Sequence, residues 1–313
     1  MESCNSKNIS SCGLCPRCCG IDRRSHTGFC GADTTVKIAR AALHFWEEPC
    51  ISGQNGSGAV FFSHCTLGCV FCQNREISHG GKGVSVDISR LAEIFLELQA
   101  MDAHNINLVT PTHYAVQIVS ALKLAREKGL ILPIIYNCGG YERVETLHML
   151  SPYVDIWLPD FKYAQARLGK LYCGVENYPE IALTAITEMF KLSGPPVFSS
   201  DGLMQRGVLV RHLLLPGKLA DAMQVVSQLY ACFGDDIMLS LMSQYTPPDS
   251  TEGNFAQRYP ELTRKVSASH YAALVDYAAK LGITRCFIQD DSAASCDYIP
   301  VFDGSGVAKR RNG

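Results

Sequence analysis

The chain has 313 residues, a formal net charge of −2 and 47% apolar residues. That is enough for one large folded unit or two ordinary ones, and too little charge bias to draw it to nucleic acid or an acidic membrane. No apolar run reaches the roughly 18 residues that span a bilayer, the N-terminal MESCNSKNIS lacks the apolar stretch of a secretory signal, and a cytoplasmic location is expected. There the 15 cysteines are thiols, and dense groups of them read as metal ligands before disulfides.

Residues 1–50 are cysteine-rich and short on strand signals, and read as an N-terminal metal-binding extension. Beyond them strands and helices alternate. Residues 58–65 (GAVFFSHC) form an apolar strand. Leu91, Ile94, Phe95, Leu98 and Met101 follow the helical period, with Asp87 placed as N-cap. INLVTP is the next strand, and HYAVQIVSALKLAREKG a helix that Gly129 stops. PIIYNCGG and DIWLPDF are strands three and four, and YPEIALTAITEMFKLSG is a helix with Pro179 in its first turn. GVLVRHLLLPG is a fifth strand, broken by Pro216-Gly217, and a helix from about Leu219 leads to a sixth, DIMLSLMSQY. ASHYAALVDYAAKLG and ITRCFIQD add a last helix and strand.

These strands are near-continuous apolar runs, as in a parallel sheet covered by helices. The expected fold is α/β: a partial (β/α)6 TIM-type barrel over residues 51–290, with a doubly wound sheet as the alternative and a tail at 291–313. Lys309, Arg310 and Arg311 read as a solvated end, and Asp290-Asp291 as a loop cap. In either fold the chemistry sits at the C-terminal strand ends.

One such end carries FFSHCTLGCVFCQN, in which Cys65, Cys69 and Cys72 are spaced C-x3-C-x2-C. Iron–sulfur clusters are usually held by four cysteines. With three, one iron keeps an open position for a small molecule, as a catalytic zinc does. A zinc site or a loop of plain thiols is the blander reading. Upstream, Cys12, Cys15, Cys19 and Cys30 make a C-x2-C-x3-C-x10-C set. That is a closed four-ligand shell, suited to zinc or to a second iron–sulfur cluster, with Cys18 able to stand in for Cys19. Cys50, Cys138, Cys173, Cys232, Cys286 and Cys296 are isolated, and most of them read as small buried hydrophobes. His113 and His212 read as hydrogen-bonded core. Asp160 and Lys162 read equally as an acid–base pair or as a salt bridge.

C-x3-C-x2-C at the end of a first barrel strand resembles the radical S-adenosylmethionine (SAM) superfamily. GSGAVFFSHCTLGCVFCQN, NINLVTPTHY, YNCGGYE, VDIWLPDFKY, VRHLLLPG, SLMSQYTPP and IPVFDGSGV together resemble its pyruvate formate-lyase activating enzyme-like group, a sibling of the glycyl-radical activases. The likeness runs from Cys12 to Val307. It implies that Cys65, Cys69 and Cys72 bind a [4Fe-4S] cluster, with Phe71 near the adenine of SAM and Asn74 among the cofactor-binding residues. Thr110-Pro111-Thr112 stands where most superfamily members have Gly-Gly-Glu, so hydroxyls or a carbonyl replace the acid. Asn137 and Asp160 stand at activase positions that hold a monovalent cation, although activases have an acid at the first. Lys162 completes a D-x-K pattern, and Arg211 lies on a strand that flanks SAM. The group reads CPRxCG upstream, favouring Cys19, and Ser-Gly-Cys at the loop. Here His64 replaces that glycine, either as a hydrogen-bond donor to a cluster sulfide or as a tolerated substitution.

The resemblance implies reductive cleavage of SAM to a 5′-deoxyadenosyl radical, with Asp160 and Lys162 as catalytic candidates. The partners it implies are a one-electron donor such as flavodoxin or ferredoxin and a glycyl-radical enzyme as target. Two alternatives stand beside it: a radical SAM enzyme acting on another peptide or small molecule, and an iron–sulfur or zinc electron-transfer protein without SAM chemistry.

Overall fold

The computed structural model describes residues 10–248, 254–289 and 300–309. Among the described residues ten strands form one sheet: β1 (Val36–His44), β2 (Ser57–Phe62), β3 (Val84–Val86), β4 (Ile106–Val109), β5 (Ile134–Cys138), β6 (Ile156–Pro159), β7 (Val197–Phe198), β8 (Met204–Leu213), β9 (Met238–Met242) and β10 (Cys286–Ile288). Their order is β10-β9-β8-β6-β5-β4-β2-β1-β3, with β7 paired to β8. From β2 to β10 along this path every pairing is parallel. This is the partial β/α barrel expected, extended by β10 to a seventh parallel strand.

The strands form where apolar runs are bounded by breakers. All six residues of β2 and all four of β4 and of β6 are buried, which only a sheet covered on both faces allows. The helix Ile88–Ala100 begins where expected: the Asp87 carboxylate accepts from the Arg90 amide at 2.7 Å, and Leu91, Ile94, Phe95 and Leu98 are buried. The helix Leu219–Phe233 buries Ala222, Val225, Val226 and Leu229 in the same way.

Residues 36–44 depart from expectation. Read as part of a strand-poor extension, they form nine-residue β1, antiparallel to both β2 and β3. Lys37 and Arg40 mask the apolar alternation of VKIARAALH. After β1 the chain turns into the short helix Pro49–Ser52. Ile51 there packs with Ile135, Ile156, Leu158 and Leu209. Residues 300–309 return to β1: Gly304 donates to Ala39 O and Ala41 to Ser305 O, each at 2.9 Å. Buried Arg90 donates to the carbonyls of Gly306, Val307 and Ala308. Asp290, Asp291 and Cys296 lie outside the described residues, as do Arg310 and Arg311.

Candidate functional site

One cavity of about 400 Å³ opens at the C-terminal strand ends. Its walls include Cys65, Cys69 and Cys72 on one side, and Phe71, Asn74, Thr110, Thr112, Asn137, Asp160, Lys162 and Arg211 around the rest. Residues far apart in sequence thus meet because parallel strands deliver their C-terminal ends to one face.

The three-cysteine loop follows β2 directly. The Leu67 amide donates to Cys65 Sγ at 3.4 Å, and the Ser78 hydroxyl to Cys72 Sγ at 3.3 Å. Burial, and then the neighbouring Cys69 and Cys72 sulfurs, push the Cys65 thiol up to about 12. Cys69 is buried and Cys65 and Cys72 are half-buried, and thiols so placed stay protonated unless a metal displaces the protons. Among the described residues no three His, Cys, Asp or Glu side chains converge tightly enough to hold a single metal ion. A four-iron cluster spreads its sulfurs wider than one ion does, and three sulfurs on the wall of a cavity fit a cluster that leaves one iron facing open space. Cys173 is not the isolated hydrophobe expected: its sulfur lies 3.8 Å from Cys69 Sγ. Cys232 is exposed, against expectation, because its helix turns that face to solvent.

Beside the cysteines, Lys162 Nζ pairs with Asp160 at 2.5 Å. Burial opposes the charge on Lys162, but the Asp160 carboxylate, with Cys69 and Tyr178 beside it, more than offsets this and holds the ammonium well above its ordinary range. Tyr178 braces the two strand ends from behind. Its hydroxyl donates toward Gly139 O and Asp160 O and accepts from the Lys162 amide at 2.9 Å. Gly140, at φ +78°, is required here: a Cβ would stand 2.1 Å from Asp160 O.

Thr110 has φ +58°, a region that a β-branched residue rarely adopts, and strain of this kind gathers at functional sites. Thr112 is buried and donates its hydroxyl to Glu142 Oε1 at 2.7 Å, while the Tyr136 hydroxyl donates to Oε2 at 3.1 Å. Burial pushes the Glu142 carboxyl up to about 7, against those hydrogen bonds. Sequence reasoning missed Glu142, which no spacing rule connects to Thr112.

It also missed Glu47 and Glu48. Arg211 donates through Nε to Glu48 at 2.8 Å, and through Nη2 to both carboxylates. Asn107 donates to Glu47 at 2.8 Å. Burial would raise Glu48, but the Arg211 charge and hydrogen bond, with that of Ser240, hold it below its ordinary value. Arg211 reaches the cavity, as the resemblance implies, with its guanidinium already committed to two acids.

His113 and His212 lie in the core and donate to the carbonyls of Ser63 and Phe161 at 2.7 and 2.8 Å. Burial pushes them down to about 3 and about 4. His64 does not line the cavity. Its ring faces Gly31, Gly81 and His113, and its φ of +77° explains why a glycine is expected there.

In the N-terminal segment the Cys12 thiol feels Cys19 and Cys30, and the Cys15 thiol feels Cys30 and Cys12. Cys18 instead turns its sulfur to the Cys15 carbonyl at 3.6 Å. The segment is docked on the barrel: Arg143 donates to Gly13 O and Thr146 to Leu14 O, both at 2.8 Å, and Arg23 to His113 O and Asp33 O.

No protein-family model matches the chain. It is 25% identical to the uncharacterized protein MJ0674 of Methanocaldococcus jannaschii over 288 residues, 89% of this chain and 77% of that one. Among solved structures it is similar to SuiB of Streptococcus suis. The SAM-bound form matches at TM-score 0.52 and 13% identity over 74% of this chain and 50% of SuiB. The form bound to the precursor peptide SuiA matches at 0.51 and 12% over 73% and 47%. The chain thus spans about half the length of SuiB. Strand order, the cavity at the strand ends and this likeness agree: the chain folds as a partial β/α barrel like that of SuiB.

Proposed function

We propose that the protein is a radical SAM enzyme. The observation that carries the reading is the presence of all three cysteines of the C-x3-C-x2-C loop on the wall of one strand-end cavity. Cys65, Cys69 and Cys72 would hold a [4Fe-4S] cluster, which when reduced supplies the electron that cleaves SAM to methionine and a 5′-deoxyadenosyl radical. Around it the chain's own side chains bind and orient. Phe71, packed edge-on against Tyr172 and Tyr245 at 6.0 and 6.1 Å, offers an apolar wall for the adenine. Thr112 gives its hydroxyl proton to Glu142, so its oxygen is left to accept from the SAM ammonium. The Glu142 carboxyl behind it stands in for the missing Gly-Gly-Glu acid at one remove. Asn74, Thr110 and Asn137 offer further polar contacts, and Arg211 fixes the cavity floor with Glu47 and Glu48. Asp160 and Lys162 hold a charge pair beside Cys69, placed to orient the reacting groups or move a proton.

Cys12, Cys15, Cys19 and Cys30 would bind a second iron–sulfur cluster, or zinc once the four sulfurs draw together, since as described no three of them converge on a single ion. The target is a peptide or protein: SuiB binds a precursor peptide, and the sequence resemblance points to a glycyl-radical enzyme. The electron comes from a small donor such as flavodoxin or ferredoxin, in a reducing compartment such as the cytoplasm.

Anaerobic reconstitution with iron and sulfide, reduction and addition of SAM should yield 5′-deoxyadenosine and methionine, and Cys69→Ala should abolish both. A cluster-loaded protein that leaves SAM intact would overturn the reading and favour electron transfer alone. Incubation with a glycyl-radical enzyme should give a protein-radical doublet by EPR. No doublet with active protein would leave another peptide or a small molecule as target.

A further inference from the structure

The N-terminal cysteine segment touches the barrel at the cluster loop itself. Arg17 sits in the turn between Cys15 and Cys18, which the Cys18 amide closes on Cys15 O at 3.0 Å. Its guanidinium leaves that turn and binds three carbonyls: Thr66 at 2.6 Å through Nε, and Leu67 and Cys173 at 3.2 and 3.1 Å through Nη2. Two of these lie between Cys65 and Cys69. The third belongs to the helix Ala166–Cys173, whose Tyr172 carbonyl also takes the Val70 amide at 2.9 Å. Phe29, next to Cys30, lies under the guanidinium at 3.3 Å and against Gly68, where a Cβ would come 3.4 Å from its ring. Residues 66–68 are therefore gripped from above by two side chains, Arg17 two residues from both Cys15 and Cys19, and Phe29 next to Cys30.

We infer that the N-terminal segment is a metal-dependent clamp on the cluster loop, with Arg17 as its positioning residue. A metal centre that draws Cys12, Cys15, Cys19 and Cys30 together, no three of which converge on a single ion as described, would fix the turn that carries Arg17 and the backbone that carries Phe29. The fixed pair holds residues 66–68 in the shape that brings Cys65, Cys69 and Cys72 to one cluster. Three hydrogen bonds from a delocalised cation to carbonyls in two separate segments give the grip direction as well as strength. The segment's other anchors, Gly13, Leu14 and Arg23, do not involve Arg17, so its loss loosens the loop without undocking the segment. The inference rests on the reading of the loop as a cluster site.

The test uses the full chain, reconstituted anaerobically, as wild type, Arg17→Gln, Cys12→Ala and the double variant. Metal content reports the N-terminal site. The reduced-state EPR signal that shifts on adding SAM reports the loop cluster, and its decay under an iron chelator reports how firmly the loop is held. Arg17→Gln should keep the N-terminal metal and lose the loop cluster roughly tenfold faster, as expected for removing charged hydrogen bonds. Cys12→Ala should lose it at least as fast, and the double variant no faster than Cys12→Ala, since both act on one coupling. A wild-type decay rate in Arg17→Gln overturns the clamp, as does additivity in the double variant. If Cys12→Ala does not fold, Arg17→Gln and Arg17→Lys decide alone, with lysine expected between glutamine and arginine. A wild type with no SAM-responsive signal overturns instead the reading of the loop.

Discussion

Arg211→Met keeps much of the side chain's length and removes the guanidinium between Glu47 and Glu48. The two carboxylates have side-chain exposures of 8% and 7%, so water cannot take over the charge. Breaking a buried ion pair from one side costs about 3–5 kcal/mol, because the remaining charge stays desolvated. Here Asn107 still donates to Glu47, and Ser240 still supports Glu48, which puts the loss at the low end, about 3 kcal/mol. For a chain of this size that is a fall of about 6 °C in thermal midpoint. The loss has a pH signature. In the wild type Arg211 holds Glu48 below its ordinary value, a contribution present above the unfolded-state pKa and lost only as pH falls through the lower folded one. In the variant only hydrogen bonds, that of Ser240 among them, still oppose the burial of Glu48, and its carboxyl rises. The gap between the two proteins should be full near neutral pH and shrink toward pH ~4 as the variant's Glu48 takes up a proton. Urea unfolding followed by circular dichroism across that range measures it, and Glu48→Gln added to Arg211→Met should recover part of the loss. A variant within about 0.5 kcal/mol of wild type at neutral pH, or a gap that does not change with pH, would refute the assignment of a buried, charged cluster under the cavity.

Glu142→Gln tests the carboxyl behind Thr112. A folded-state pKa of about 7 means that the folded protein binds this proton more tightly than the unfolded chain does. The wild type should therefore lose stability as pH rises from the ordinary carboxylate range to about 7, and the glutamine variant should gain on it by up to about 3 kcal/mol in that window. A stability difference flat with pH would mean that Glu142 is not a buried acid. At residue 64, glycine should be more stable than alanine by roughly 1 kcal/mol, because both lose the imidazole but only alanine keeps the left-handed strain. Equal unfolding midpoints for the two variants would show that the backbone there relaxes.

The parts of this molecule legible in the sequence are those whose signal is local. The helix Ile88–Ala100 announces itself through its apolar period and its Asp87 cap, and the cysteine loop through three residues in eight positions. What was not legible depends on the chain meeting itself. Glu47 and Glu48 look like a solvated turn, and become cavity residues only because β8 brings Arg211 to them across 164 and 163 positions. β1 hides behind Lys37 and Arg40. Cys173 reads as an isolated small hydrophobe until the helix Ala166–Cys173 ends beside Cys69. His64 is the intermediate case: a break in a familiar pattern was visible, and its cause, a positive φ, was not.

The return of residues 300–309 to β1 bears on how the molecule is assembled. β3 pairs only with residues 36–38 of β1, and the backbone groups of Ala39 and Ala41 find their partners at Gly304 and Ser305. Arg40 likewise waits for Val301, 261 positions away. Contacts of such separation form late. Until they do, a nine-residue strand carries an unfinished edge, which is a template for pairing with a second chain. The last part of the polypeptide is in this sense a guard, closing an edge that opened near its beginning. A chain cut before residue 300 would leave that edge bare and strip buried Arg90 of three carbonyl partners.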